Sequence, residues 1–131
     1  MVEEFNPSTP IYLQLANRIC RQIIRNELSP GDKLPSVRGM AVHSGVNPNT
    51  VQRTYRELEG MEIVETRRGQ GTFVTENETI LNDMREHLKE EHISQFVQDM
   101  KEMGYTVNEM LEGLKQYVAQ LSEEGDSNDK A

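Results

Sequence analysis

Long apolar runs, cysteine pairs and tryptophan are all missing from this sequence of 131 residues. Without an uninterrupted apolar stretch of about 18 residues, the chain has no candidate transmembrane helix. Its one cysteine, Cys20, cannot form an internal disulfide and lies among apolar helical positions, as a small core residue would. The first residues are acidic and lack the apolar segment of a secretion signal. We therefore expect a cytoplasmic protein.

Catalytic and metal-binding constellations are also lacking. The histidines are His43, His87 and His92, and no serine has a histidine and an acid placed to activate it. His87, Glu91 and His92 suggest a metal site at first sight. Glu91 and His92 are adjacent, however, and cannot share one face of a helix, so a charged, exposed face is favoured. We expect neither enzyme activity nor a cofactor or bound metal.

The net charge of −8 is unevenly distributed along the chain. Residues 1–75 hold nine Lys and Arg against eight Asp and Glu, which gives a net charge of +1. Residues 76–131 hold five against fourteen, which gives −9. The acidic part would be directed away from a nucleic acid, and binding by the first part would depend on a few well-placed cations.

Helix signals dominate the first half of the sequence. Thr9 followed by Pro10 predicts a hydroxyl-capped helix start, and apolar residues at helical spacing carry this helix to Asn26. Ser36 then caps a short helix that ends at a Ser-Gly break, and Asn47 caps the next one. The buried stripe of that helix is Val51, Tyr55 and Leu58. Two short helices joined by a glycine-containing turn are typical of a helix-turn-helix.

A basic hairpin follows these helices. Residues 62–66 and 72–74 are predicted to be strands, and residues 67–71, with two arginines and two glycines, form the turn. The sequence therefore predicts a mostly α fold with a small β wing: a winged helix-turn-helix followed by a short C-terminal helical dimerisation region. The predicted domains are residues 1–75, which would bind DNA, residues 76–122 and a disordered tail at 123–131.

The chemistry of DNA recognition selects the candidate contacts. A helix N-terminus favours phosphate, glutamine favours adenine and arginine favours guanine in the major groove. Glycine in a wing allows close backbone approach, and arginine suits a narrow minor groove. The predicted DNA-binding residues are Arg38, Asn49, Thr50, Gln52, Arg53, Arg67, Arg68, Gly69 and Gln70.

The C-terminal part is predicted to form two amphipathic helices. Gly104 fits a helix C-terminus, and Thr106 with Glu109 forms a capping box that starts the last helix. A helical pair of this size cannot bury both of its apolar stripes alone, so a second copy is the expected partner. The predicted dimer-interface residues are Leu81, Met84, Leu88, Met110, Leu114 and Val118.

Several motifs in order resemble the DNA-binding domain of the GntR family of bacterial transcription regulators. They are Leu34-Pro35-Ser36-x-Arg38, Val46-Asn47-Pro48-Asn49-Thr50-Val51, Leu58-Glu59 and Gly69-Gln70-Gly71-Thr72-Phe73-Val74. The segment Phe5-Asn6-x-x-x-Pro10-Ile11-Tyr12-x-Gln14-Leu15 resembles the start of that domain in the YtrA subfamily. The match covers roughly residues 5–75.

The resemblance implies a homodimeric repressor that binds an inverted-repeat operator, in many such proteins at an operon for an ABC transporter. The second helix of the motif would enter the major groove and the wing tip the minor groove. A small-molecule effector, of unknown identity, would bind between the helices or at the dimer interface. Two positions depart from the family pattern. Pro48 stands where many members have arginine, and Glu62 stands where glycine usually precedes the wing, which leaves the conformation of residues 60–62 open.

Two other functions are compatible with parts of the sequence. A protein-interaction module, built on a winged helix with minor DNA affinity, would fit the acidic C-terminal part and the weak positive charge of the first part. The arginine pair in the wing argues against it. An enzyme would need a converging set of reactive side chains, and the sequence offers none.

Overall fold

The computed structural model describes residues 5–124. Within this range the chain forms five helices and one two-stranded antiparallel sheet, which confirms the predicted mostly α fold with a small wing. The elements are α1 (Ile11–Ile24), α2 (Val37–Ser44), α3 (Pro48–Gly60), β1 (Val64–Arg67), β2 (Gly71–Val74), α4 (Glu78–Glu102) and α5 (Val107–Glu124). None of the described helices combines the length and the apolar character needed to cross a bilayer.

The start of α1 differs from the prediction. Pro10 is the capping residue, and no side chain caps the helix, so the expected hydroxyl cap from Thr9 is wrong. The Gln14 amide holds the preceding segment instead: its Nε2 donates to the Thr9 carbonyl at 2.7 Å, and its Oε1 accepts from the Asn6 backbone N–H at 2.7 Å. These bonds tie residues 6–9 to the first turn of α1 but leave the free N–H groups of that turn without a side-chain cap.

Two predicted caps set the helix-turn-helix. The Ser36 hydroxyl accepts the Gly39 N–H at 3.0 Å, and the Asn47 side chain accepts the Asn49 N–H at 2.7 Å. Gly45 ends α2 in the left-handed conformation, with φ 71, where glycine has no steric penalty. These contacts fix both ends of α2 and the start of α3, and so fix the turn between the two helices.

The core of the winged region forms around α3. Helices α1 and α2 both pack on α3, and the end of α3 packs on β1. The predicted stripe of Val51, Tyr55 and Leu58 is buried, together with Thr54. Burial of this many apolar side chains, at about 1.5–3 kcal/mol each, holds α3 with its polar face outward.

The wing has a third strand-like segment that the sequence did not predict. β1 and β2 pair with Val64 opposite Val74 and Arg67 opposite Gly71. Residues 31–34 run along the other edge of β2, where the Leu34 N–H donates to the Thr72 carbonyl at 2.8 Å. An isolated bridge joins Lys33 to Phe73. The wing is thereby anchored to the segment that connects α1 and α2.

Three helices end with the same pair of backbone hydrogen bonds. After α3, the Glu62 N–H donates to the Glu59 carbonyl and the Ile63 N–H to the Leu58 carbonyl, at 2.9 and 3.0 Å. This Schellman arrangement needs a left-handed residue directly after the cap. Asn26 fills that place after α1, Gly104 after α4 and Glu62 after α3, where φ is 64. In the segment 60–62, Glu62 therefore has the left-handed conformation that glycine most often adopts after a helix.

The chain divides into two compact units, with the division between Glu86 and His87, inside α4. The predicted boundary was at residue 75. In the structure, the first turns of α4 belong to the same compact unit as the winged helix-turn-helix. In the second unit the predicted capping box is present: Thr106 Oγ1 accepts the Glu109 N–H at 3.2 Å, and the Glu109 carboxylate accepts the Thr106 N–H at 2.8 Å. The predicted tail at 123–131 lies outside the described residues from 125 onward; residues 123 and 124 are still helical.

Candidate nucleic-acid interface

The orientation of α3 is fixed from its buried side by two polar contacts. Thr54 Oγ1 donates to the Tyr12 carbonyl on α1 at 3.0 Å, and the Tyr55 hydroxyl donates to the Pro35 carbonyl, just before α2, at 2.7 Å. Burial raises the pKa of Tyr55 well above its usual range, so this hydroxyl stays a donor. These two bonds set the rotation of α3 about its own axis.

The opposite face of α3 carries the predicted base-reading side chains. Asn49 and Gln52 are exposed, and Thr50 is half-buried in the first turn. The cap uses the Asn49 backbone N–H, so what Asn49 offers a ligand is its side-chain amide. That amide and the Gln52 amide each present a donor and an acceptor, the pattern that pairs with the edge of adenine.

Arg53 is also exposed on α3, but its guanidinium is not free to turn. Its Cζ lies 4.0 Å from the centroid of the Tyr12 ring. Such a stack orients the planar group and holds part of it against α1. Arg53 therefore stands at the edge of the outward face, between the α3 surface and the start of α1.

Arg38 occupies the second position of α2, two residues after the Ser36 cap. It is exposed and has no ion pair or hydrogen-bond partner among residues 5–124. A cation beside free N–H groups of a helix start adds to an environment that favours phosphate.

The tip of the wing consists of Arg68, Gly69 and Gln70, all exposed. The Gln70 N–H donates to the Arg67 carbonyl at 2.8 Å and closes the turn, and Gly69 has φ 76. A left-handed glycine at this place lets the turn close without a Cβ clash. No partner of the Arg68 guanidinium is found in the described part of the chain.

Arg67 is held differently from Arg68. Its guanidinium lies 4.2 Å from the centroid of the Phe73 ring, and its Nη2 is 3.0 Å from a Glu65 carboxylate oxygen. A second carboxylate, Glu76, lies 4.0 Å away. The register puts Glu65 directly opposite Phe73, so these groups share one face of the wing.

Lys33 is a cation at the wing that the sequence interpretation missed. A Cβ built on Gly71 would lie 2.7 Å from Lys33 Cε, so the lysine stem crosses the start of β2. Lys33 is exposed, and its ammonium has no partner among residues 5–124. No local pattern links it to the wing, since the contact depends on pairing between segments that are distant in sequence.

In the histidine-containing segment of α4, the side chains of His87 and Glu91 are in contact. His87 Nε2 is 3.1 Å from a Glu91 carboxylate oxygen, one helical turn away, and both side chains are exposed. Within residues 5–124, no three side chains of His, Cys, Asp or Glu lie close enough together to hold a metal ion. The pair is of the surface type, which contributes little to stability.

A helix held with its amide-bearing face outward, next to a wing with an arginine at its tip, is the arrangement of a winged helix-turn-helix that reads a duplex. Residues 11–74 match the family model described as bacterial regulatory proteins, gntR family. The HTH-type transcriptional regulator YhcF of Bacillus subtilis (strain 168), itself uncharacterized, is 54% identical over 118 residues, which cover 90% of this chain and 98% of YhcF. The chain belongs to the GntR family.

Two further comparisons refine this membership. The HTH-type transcriptional repressor YtrA of Bacillus subtilis (strain 168) is 37% identical over 115 residues, covering 87% of this chain and 88% of YtrA. A GntR family transcriptional regulator from Listeria monocytogenes matches with a TM-score of 0.81 and 34% identity, over 86% of this chain and 98% of that one. This GntR protein is thus YtrA-like along nearly its whole length, and the predicted family is confirmed.

GntR-family proteins are DNA-binding transcription regulators and not enzymes. The chain is accordingly a DNA-binding transcription regulator with a winged helix-turn-helix. Within this GntR fold the predicted contact residues lie in three places: the start of α2, the outward face of α3 and the wing.

Proposed function

We propose that this protein is a homodimeric repressor that binds an inverted-repeat operator, with α3 in the major groove and the wing tip in the minor groove. The observation that carries the proposal is the outward α3 face, held by the bonds of Thr54 and Tyr55 to other segments. Because those bonds fix the rotation of α3, the side chains of Asn49 and Gln52 would face the same groove. The repressor role is supported by the similarity to YtrA, which is named a repressor.

The proposed DNA contacts are eight of the nine residues that the sequence predicted: Arg38, Asn49, Thr50, Gln52, Arg53, Arg68, Gly69 and Gln70. The ninth, Arg67, is paired with Glu65 and stacked on Phe73 within the wing. They divide by chemistry. Asn49 and Gln52 would read base edges, whereas Arg38 and Arg68 would serve phosphates and the minor groove.

Selection of bound sites from random duplexes tests this division. We expect an inverted repeat to be enriched. Gln52→Ala should weaken the free energy of binding to that site by about 1–3 kcal/mol and relax the base preference at one position in each half-site. Gln116→Ala, on the exposed surface of α5, is the matched control and should change neither value. Equal losses for Gln52→Ala on selected and random duplexes would contradict base reading by α3.

The dimer would form through α4 and α5. The six predicted interface residues differ in their burial. Met84 and Met110 are already buried within one copy, Leu81 and Leu88 are half-buried, and Leu114 and Val118 are 49% and 52% exposed. Leu111, Tyr117 and Leu121 extend the exposed apolar face of α5. An apolar face of this length favours a protein partner, and a second copy suits the two-fold symmetry of an operator.

A paired substitution on α5 tests this assembly in the full-length protein. Leu114→Arg with Val118→Arg should yield a monomer in analytical ultracentrifugation and weaken operator binding, because the two half-sites are no longer linked. Glu112→Arg with Gln116→Arg has the same spacing on the opposite face and should remain a dimer. If the first variant also sediments as a dimer, the interface lies elsewhere.

The cavity beside the start of α4 supports a place for a small-molecule effector. It has a volume of about 260 Å³, and its apolar wall comes from α1 and α4. The lining residues are Ile23, Ile24, Asn26, Pro30, Glu78, Leu81, Asn82, Met84 and Arg85. An effector bound there would act on the segment at residues 75–78 and alter the spacing of the recognition helices, which the operator fixes. Distances between labels on the two α3 helices should then change when an effector releases the operator; release at constant distance would exclude this mechanism.

The regulated genes would include an operon for an ABC transporter, as the resemblance to the YtrA subfamily implies. Mapping of bound sites across the source genome, combined with transcript levels in a strain that lacks the protein, tests this. We expect transcripts next to the strongest sites to rise in that strain, because the protein would act as a repressor on chromosomal DNA in the cytoplasm. A fall in those transcripts would indicate activation instead.

A further inference from the structure

Two neighbouring arginines of the wing have different surroundings. Arg67 faces back along the wing, where its guanidinium stacks on Phe73 at 4.2 Å and pairs with Glu65 at 3.0 Å. Arg68 begins the exposed tip and has no such partner in the described chain. A guanidinium that is already paired with a carboxylate carries little net charge toward a phosphate, and it would have to leave both contacts to reach one.

The contacts of Arg67 join the two strands of the wing. Glu65 is on β1 and Phe73 is opposite it on β2, so the guanidinium lies across the pair. The Arg67 carbonyl also accepts the N–H of Gln70 that closes the turn. Side chain and backbone of one residue thus hold both the strand pair and the turn that presents Arg68.

Lys33 supplies a second free cation at this wing. Its stem lies against Gly71, so closely that a Cβ on that residue would meet Lys33 Cε at 2.7 Å. The backbone of Lys33 bridges to Phe73, and the Leu34 N–H donates to the Thr72 carbonyl. The ammonium therefore lies at the start of β2 next to the turn, although it comes from the α1–α2 connection.

We propose that Lys33 and Arg68 are the phosphate-contacting cations of the wing, and that Arg67 is a positioning residue that holds the wing in shape without touching DNA. This inference rests on the proposed function, because it assigns different roles to the cations of one proposed DNA interface. It replaces the expectation from the sequence that both wing arginines contact the duplex.

The salt dependence of binding separates the two roles. Each phosphate contact contributes a slope of about 0.9 to the plot of log K against log salt. Lys33→Met and Arg68→Met in the full-length protein should each lower the slope on the selected duplex by about 0.9 per bound protomer. Arg67→Met should weaken binding at every salt concentration, and its slope should equal the slope measured for the control variant Lys115→Met. That last variant removes one cation from α5 and is the matched control.

A double-mutant cycle tests the positioning role of Arg67. Phe73→Leu changes no charge but removes the ring beneath the guanidinium. It should weaken binding as Arg67→Met does, and the double variant should be no weaker than the weaker single variant. Amide exchange at Gln70 in the free protein should be faster in Arg67→Met and unchanged in Lys33→Met. Arg67→Lys, which keeps the charge beside Phe73 and Glu65, should recover part of the affinity.

The outcomes distinguish this inference from the proposed function. A wild-type protein that selects no duplex would contradict the proposed function itself. If the wild type binds but Arg67→Met lowers the slope as much as Arg68→Met, then Arg67 contacts phosphate and the inference is wrong. The inference also fails if Lys33→Met behaves as Lys115→Met does, or if Phe73→Leu leaves binding and Gln70 exchange unchanged.

Discussion

The left-handed residue that joins α3 to the wing offers a sharp test of the fold. Glu62 has φ 64 and donates the Schellman hydrogen bond to Glu59 at 2.9 Å. For a residue with a Cβ, this conformation costs about 1–2 kcal/mol. Glycine adopts it without that penalty but loses about 0.5–1 kcal/mol more in chain entropy on folding. Glu62→Gly should therefore raise the free energy of unfolding by about 1 kcal/mol.

Thermal and urea unfolding measure this effect. For a chain of this size, a gain of about 1 kcal/mol raises Tm by about 3–5 °C. Two controls separate backbone strain from charge. Glu62→Ala removes the carboxylate but keeps the Cβ, so it should bring no comparable gain. Glu59→Gly makes the same substitution in the last turn of α3 and should lower stability by about 1 kcal/mol.

Two results would refute the strain argument. If Glu62→Ala stabilises the protein as much as Glu62→Gly does, then repulsion between charges is the cause. If Glu62→Gly leaves Tm unchanged or lowers it, the backbone at this turn is not strained as the φ value indicates.

Three further predictions follow from the core around α3 and from α1. Gly60 lies in the last turn of α3 with open space around its Cβ position, so Gly60→Ala should raise the free energy of unfolding by up to about 1 kcal/mol in a urea titration; a loss would contradict this. Tyr55→Phe should lower it by about 1 kcal/mol, because the bond to the Pro35 carbonyl is lost, and an unchanged urea midpoint would show that this bond contributes nothing. Burial raises the pKa of the Cys20 thiol to about 11, so a maleimide at about pH 8 should label it only as fast as the protein unfolds. Labelling of the native protein at the rate of a free thiol would contradict that burial.

Local features of the fold were predictable because they depend on residues three or four positions apart. The caps at Ser36 and Asn47 and the box at Thr106 each join a side chain to an N–H within three residues. The buried stripe of α3 follows from helical periodicity alone. The prediction at Thr9 failed because the helix begins one residue later, with Pro10 at the cap position, which has no side-chain acceptor.

The sequence by itself determined the elements, their order and the polar face of α3, since caps, turns and periodicity act over a few residues. Only the tertiary structure decided the surroundings of the wing cations. The stack of Arg67 on Phe73 depends on strand register, and the approach of Lys33 to Gly71 depends on a segment from before α2 pairing with β2. It also decided that Glu62 adopts the left-handed conformation, because the residues on both sides of the turn, Leu58 and Ile63, are buried in the core.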